Sequence, residues 1–424
     1  MQSFSQKIKI IWGDRALRNR ILIVLGLLVV FRLLSTVPVP GVDAGRLSSF
    51  LNNNQFFGIL NLFSGGGLST LSIIMLGVGP YITSSIIMQL LTVMVPSLKS
   101  MYTEEGEAGR KTFAQYSRMI AIPLALLQGF GLLLLLQKEG IMGTLTPLSF
   151  ATNLIVVVAG SIFLMWIGEI MTEYGISNGI SIIIFAGIVA ALPQHISQAL
   201  FTFDISQIPY FILFIVLGAL LIAGVVVVTE AERPIAVTYA RQSRGGQSAG
   251  GNIETYIPLR VNQAGVIPII FALSILLVPQ LLGTVLLLSK NGILLAIGHA
   301  FTNFSQTSLL YGVLYFVFVF AFTYFYTAVT FDPHAMSENL QKSGAFIPGI
   351  RPGQSTEDYL GKIVSRITFV GALFLGVIAV LPLIVRAVTG ITAIALGGTA
   401  MLIVVSVVLD LIKQTNAQIS MHEY

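Results

Sequence analysis

FFGILNLFSGGGLSTLSIIMLGVGPYITSSIIMQLLTVMV, residues 56–95, decides how this chain is read. It is mostly apolar and about twice as long as one crossing of a ~30 Å hydrocarbon layer requires. Two breaks interrupt it: Gly65-Gly66-Gly67, and Gly77-Val78-Gly79-Pro80. Glycine and proline are poor helix-interior residues. Non-helical backbone at membrane depth is stable only where protein or a water-filled cavity satisfies it. The spacing therefore predicts a short re-entrant element over 58–75, folded inside the protein. A full span follows Pro80, a residue suited to a first helical turn. The alternative is a plain external loop. Against it stand Leu60, Leu62, Phe63, Leu68, Leu71, Ile73, Ile74 and Met75, too apolar to sit in water.

The rest of the chain agrees with a membrane solvent. Of 424 residues, 55% are hydrophobic and 10% charged. A soluble domain carries about 25% charge, so a bilayer is what makes this composition stable. Apolar runs at 21–37, 72–95, 115–136, 150–169, 178–193, 209–228, 265–288, 309–330, 367–386 and 391–412 read as ten spans. Lys and Arg concentrate in alternate loops, which places both termini in the cytoplasm. Residues 1–20 are basic, with Phe4, Ile8, Ile11 and Trp12 at roughly helical spacing, as in an interfacial helix. The run after Arg20 is read as an anchor rather than a cleaved signal, because no small-residue cleavage site follows it.

Ten spans divide into halves of five, 21–193 and 209–412, before a tail at 413–424. Five is odd, so the halves are expected to be inverted, with the functional path between them. The segments 230–264 and 331–366 are long, polar and basic. Loops of that length are disproportionately functional and suit docking of an acidic partner.

Reactive chemistry is sparse. Cysteine is absent, which excludes disulfides and thiolate sites. No Asp or Glu occupies the middle of a span, where an ion-coupled transporter would place one. His195, His299, His334 and His422 lack metal-ligand spacing. No catalytic residue, metal site or cofactor is expected. What remains is an apolar path. Ile82 and Ile86 share a helix face, as do Ile180 and Ile184. Aliphatic rings can close a pore by dewetting, although such spacing is also ordinary in any buried helix. The pattern favours a passive conduit over a solute transporter or a poreless scaffold.

Several motifs carry a resemblance. They are Pro38-Val39-Pro40-Gly41, Gly79-Pro80-Tyr81-Ile82-Thr83-Ser84-Ser85-Ile86, Gly175-Ile176-Ser177-Asn178-Gly179-Ile180-Ser181, Leu259-Arg260-Val261-Asn262, and the run from Gln341 to Gly353. Over essentially its whole length the chain resembles the SecY family of bacterial protein-translocase channels. The resemblance implies an all-α integral membrane fold of two inverted five-helix halves around an hourglass pore. It implies a pore ring of Ile82, Ile86, Ile180, Ile184, Ile270 and Ile403. The re-entrant element would be a plug hinged at Gly65, Gly66 and Gly67, sealing the outer funnel. A lateral gate would open between spans two and three and spans seven and eight, with Gln89 and Ser274 as gate-side polar groups whose pairing tunes closure. The docking tips would carry Arg351, with Arg241, Arg244 and Arg260 as secondary contacts. The implied partners are SecE, SecG, the motor ATPase SecA, the ribosome, signal sequences, secretory polypeptides and membrane lipids, in the bacterial plasma membrane.

Overall fold

The computed structural model describes residues 13–40, 61, 64–103, 105–138, 140–143, 146–201, 208–239, 254–265, 267–287, 291–302, 309–389 and 392–422. The first helix, α1 (Arg15–Ser35), is capped by the Asp14 carboxylate, which accepts from the Ala16 N–H at 2.9 Å. Helix α2 (Gly79–Met94) starts at the Gly-Pro break, with Pro80 in its first turn. Pro96 then opens α3 (Pro96–Thr103), bent 110° from α2. The chain continues through α4 (Gly106–Lys138), α5 (Pro147–Tyr174), α6 (Gly179–Phe201) and α7 (Ile208–Glu230). Strands β1 (Glu232–Tyr239) and β2 (Glu254–Arg260) lead into α8 (Ile267–Leu286), α9 (Gly292–Thr302), α10 (Leu309–Thr330) and α11 (Pro333–Lys342). The two-residue strand β3 (Ala345–Phe346), α12 (Gln354–Thr389) and α13 (Thr392–His422) complete it.

Each apolar run marked in the sequence falls mainly on one helix, α1, α2, α4 to α8, α10, α12 and α13, but 72–78 of the second run is non-helical and α2 starts only at Gly79. Among the described residues, four helical stretches are each long and apolar enough to cross a membrane: Gly106–Lys138, Pro147–Tyr174, Leu309–Lys342 and Gln354–Val385. The third of these runs through α10 into α11. Leu126, Leu127 and Phe130 of α4, Ile155 and Trp166 of α5, and Ile212, Ile215 and Leu220 of α7 are exposed. Outward apolar faces on helices of this kind belong against lipid.

Boundaries move in three further places. Helix α1 begins inside the segment expected to be a cytoplasmic lead. Helix α4 reaches back to Gly106, and α12 to Gln354, so Arg110, Lys111, Lys362 and Arg366 ride on helix extensions rather than in loops. The interfacial helix expected from the spacing of Phe4 to Trp12 and the docking tip expected at Arg241 and Arg244 lie outside the described residues.

The largest addition to the expected all-α fold is a small sheet, in the order β2-β1-β3. Strands β1 and β2 pair antiparallel with Arg233 opposite Leu259 and Ile235 opposite Ile257. β1 also pairs with β3, Thr238 opposite Phe346. Ile235 and Val237 alternate inward, as period-two geometry requires, and join Leu259, Ala345, Ile347, Leu360 and Ile363 in one apolar cluster. The two long segments thus form one folded platform with the start of α12.

Among the described residues, the main contacts between the two halves involve α8 and α13. Helix α8 packs against α2 and α4, and α13 packs against α6.

Candidate conducting path

The predicted ring residues come together. Ile82 and Ile86 on α2, Ile184 on α6, Ile270 on α8 and Ile403 on α13 are all buried in a single apolar cluster, and Ile180 packs partly buried against it. Two helices from each half contribute. Helices α2 and α6 each bring two isoleucines four residues apart, so both members point the same way. The result is one apolar core to which helices of both halves contribute. Water gains no hydrogen bonds there.

The re-entrant segment packs beside it. Ser64, Leu68, Leu71, Ser72, Ile74 and Val78 are each 0% exposed. Leu68, Leu71, Met75 and Leu76 form a second core with Ala125, Leu132, Leu133 and Leu136 of α4 and Val157 and Val158 of α5. Its backbone is non-helical, and its polar groups find local partners. The Val39 N–H donates to the Leu71 carbonyl at 2.8 Å, and the Ile73 N–H to the Val37 carbonyl at 3.0 Å. The Thr70 hydroxyl reaches the Ser35 carbonyl at 2.7 Å. Gly65 and Gly66 have φ of +63° and +88°, values only glycine adopts freely. Leu71 has φ of +41°, the one non-glycine residue with positive φ among those described, and strain of this kind marks switch regions. The part of 58–75 at 58–60, 62 and 63 lies outside the described residues.

Two residues that sequence reasoning passed over bind backbone flanking this segment. The Ser161 hydroxyl of α5 donates to the Gly77 carbonyl at 2.7 Å. The Asn153 amide donates to the Pro40 carbonyl at 3.3 Å. Both are buried polar side chains within an apolar run. That combination is the signal that could have flagged them, since a polar group inside a membrane needs a partner.

The expected Gln89–Ser274 pairing is not made. The Ser274 hydroxyl donates to the Ile270 carbonyl on its own helix at 2.8 Å, the usual back-bond of a serine in a helix. The Gln89 side-chain oxygen is buried with no hydrogen-bond partner among the described residues. Elsewhere, polar contacts staple helices. The Ser84 hydroxyl of α2 donates to the Ser117 carbonyl of α4. Arg118 of α4 meets Glu169 of α5 at 2.5 Å. Lys413 of α13 meets Glu230 of α7 at 3.0 Å and the Thr229 carbonyl at 3.1 Å.

Of the docking arginines, Arg351 is exposed beside the platform. Its backbone is fixed: the Thr356 hydroxyl donates to the Arg351 carbonyl at 2.9 Å, and the Ser337 hydroxyl to the Gly353 carbonyl at 2.7 Å. Arg260 ends β2 opposite Glu232 and is also exposed. Arg241 and Arg244 lie outside the described residues.

Helices of both halves thus share one apolar core, with an irregular buried segment packed beside it. The comparisons with known proteins agree. The SecY family profile matches residues 72–412. Protein translocase subunit SecY of Synechocystis sp. is 41% identical over 419 residues, spanning 96% of this chain and 93% of that protein. The same subunit of Thermus thermophilus is 44% identical over 421 residues, with 96% and 94% covered. The fold is shared with a solved protein-conducting channel at a TM-score of 0.65 and 20% identity, covering 93% of this chain and 91% of that one. It is shared with a SecY protein whose plug domain stabilises the closed state of the translocation channel and maintains a membrane seal (TM-score 0.61, 20% identity, 92% and 90% covered). A channel in the canine ribosome–channel complex from the endoplasmic reticulum matches at 0.62 and 20% identity, with 93% and 91% covered.

The chain belongs to the SecY family. It is a multi-pass membrane protein with the all-α fold of a protein-conducting channel.

Proposed function

We propose that this chain is the conducting subunit of a bacterial protein translocase. It passes unfolded secretory polypeptides across the plasma membrane and releases membrane segments sideways into lipid. The observation that carries this reading is the gathering of Ile82, Ile86, Ile180, Ile184, Ile270 and Ile403, from four helices of both halves, around one apolar core.

At rest the ring excludes water because its aliphatic surface offers no hydrogen bonds. A moving polypeptide needs a collar that fits many side chains and binds none. Isoleucine supplies this, since its aliphatic side chain carries no charge and offers no hydrogen bond. Residues 64–75, with the adjoining part of 58–75, act as the plug, and Gly65, Gly66 and Gly67 form its hinge. The lateral gate lies where α8 meets α2 and α4, the face that carries Gln89 and Ser274. A signal sequence entering there partitions into lipid at about 25 cal/mol per Å² of apolar area removed from water.

The halves are 21–193 and 209–412, inverted relative to each other, with residues 1–20 and 413–424 in the cytoplasm. The platform built from 230–264 and 331–366 faces the cytoplasm. Arg351 docks the motor ATPase SecA or the ribosome there, with Arg260, Arg241 and Arg244 assisting. A guanidinium suits both targets, pairing in bidentate fashion with carboxylate or phosphate. SecE clamps the two halves, and SecG joins them. The channel supplies no chemistry of its own. Energy comes from the motor, the ribosome or the membrane potential.

The test places a photo-crosslinking amino acid at Ile86, at Ile184 and at the outward Leu127, with a secretory protein stalled in transit. Crosslinks at Ile86 and Ile184 but not at Leu127 are expected. Crosslinks at none of the three, with the stalled protein present, would remove the ring from the path.

A further inference from the structure

Helix α6 carries more than two ring residues. Ile180, Ile184 and Gly187 follow one another at four and then three residues, so all three lie on one helical face. Gly187 touches the re-entrant segment with bare backbone. A Cβ placed on it would come 2.1 Å from the Gly65 Cα, 2.7 Å from the Gly65 carbonyl carbon and 3.0 Å from its oxygen. From another direction Gly65 meets Phe31 of α1, where a Cβ on Gly65 would lie 2.3 Å from the ring Cζ. Phe31 is itself 0% exposed and belongs to the same core as Ile82, Ile86 and Ile184. Gly65 is therefore held between an aromatic ring and a glycine backbone. The two contacts differ in kind. A ring can tilt, whereas the backbone of a packed helix cannot swing aside.

We infer that Gly187 is the seat of the plug: a side-chain-free patch, one turn beyond Ile184 on the pore face of α6, against which Gly65 closes while Phe31 clamps it. The inference rests on reading residues 64–75 as the moving plug. It gives the ring and the plug a common part. A polypeptide that spreads the ring at Ile180 and Ile184 displaces α6, and Gly187 moves with it. Widening the constriction removes the surface that holds the plug, so opening one opens the other. An alanine at 187 would wedge the two backbones apart, because a tightly packed contact absorbs an added methyl only by moving. Gly187 is a positioning residue and need not touch the translocating chain.

The native chain has no cysteine, so a single introduced thiol reports cleanly. Leu68→Cys replaces a plug residue that is 0% exposed. The complete translocase carrying it is reconstituted in liposomes and treated from the outer side with a membrane-impermeant maleimide. In the Gly187 background, labelling is slow at rest and speeds up when a secretory protein is driven through. With Gly187→Ala, labelling at rest is expected to rise by about tenfold or more, the low end for an overpacked contact. Adding Phe31→Leu to Gly187→Ala gives Gly65 room to retreat and slows labelling again, a non-additivity that general loosening would not produce. Gly312→Ala, whose Cβ would make only an ordinary contact at 3.7 Å, labels as slowly as the parent.

Resting labelling unchanged by Gly187→Ala overturns the seat. So does equal acceleration by Gly312→Ala. If Gly187→Ala alone does not assemble, assembly of the Gly187→Ala, Phe31→Leu pair is the expected rescue, and failure of the pair to assemble while Phe31→Leu alone does so overturns the seat. Failure of the parent to label faster during translocation sinks the plug reading instead, and that outcome is separate from the other two.

Discussion

Isoleucine at a constriction must exclude water and still yield. Ile184 is 1% exposed and Ile86 3%, so a polar group at either site would be set where nothing satisfies it except water drawn in after it. Ile184→Asn is expected to wet the ring and raise resting ion conductance across planar bilayers; conductance equal to the parent's would mean that Ile184 does not form the barrier. Gln89 presents the reverse case. Its buried oxygen lacks a partner among the described residues, and a buried group left unsatisfied costs about 1–3 kcal/mol. Gln89→Leu should therefore stabilise the closed gate and slow import of proteins with weakly apolar signal sequences, read as the initial rate of protected product. Faster import would contradict a gate-side role.

How far these sites could be read from sequence differs residue by residue. Ile82 and Ile86 share a face by spacing alone, yet the same spacing occurs in any buried helix. Their meeting with Ile270 and Ile403 across the halves is a property of the fold. The pairing expected of Gln89 with Ser274 fails because a helical serine has a carbonyl of its own four residues back. Gly187 and Gly65 stand far apart in the chain, and no periodicity links them.

Among the elements, the long apolar helices were legible because bilayer thickness fixes their length and hydropathy fixes their place. The Gly-Pro break at 79–80 likewise announced where α2 begins. The sheet was not legible. The partner of β1 starts only at Glu254, and strand pairing across such a sequence gap leaves no local period. Helix α9, 11 residues long, is apolar but too short to read as a span. One junction here is pH-sensitive. His334 at the start of α11 lies 3.0 Å from Glu357 of α12. Its hydrogen bond to that carboxylate, and then the carboxylate's charge, raise the imidazole above its ordinary 6.5. Because the folded value is the higher one, the tie is complete below about pH 6.5 and is lost as pH climbs through the raised value. Histidine NMR of the complex should show His334 titrating above 6.5, and Glu357→Gln should bring it back. A titration indifferent to Glu357→Gln would say that the pair does not form in solution.

Across the whole molecule, the two halves touch where α8 meets α2 and α4 and where α13 meets α6. One contact is the proposed gate. The other joins α6 and α13, the helices that carry Ile184 and Ile403. The platform joins segments from either side of α8 to α10 into one unit, and its exposed Arg351 stands on backbone fixed by Thr356 and Ser337. A rigid tip of this kind can pass force from a partner to the helices below. The claim at this scale is that the chain conducts polypeptides under an outside motor. The most direct measurement reconstitutes it with SecE, SecG and SecA in proteoliposomes and follows ATP-dependent protection of a secretory preprotein from external protease, for the parent and for Arg351→Glu. The account predicts protection with the parent and its loss with Arg351→Glu. Absence of protection with the parent, while the same SecA drives a control translocase, would contradict it.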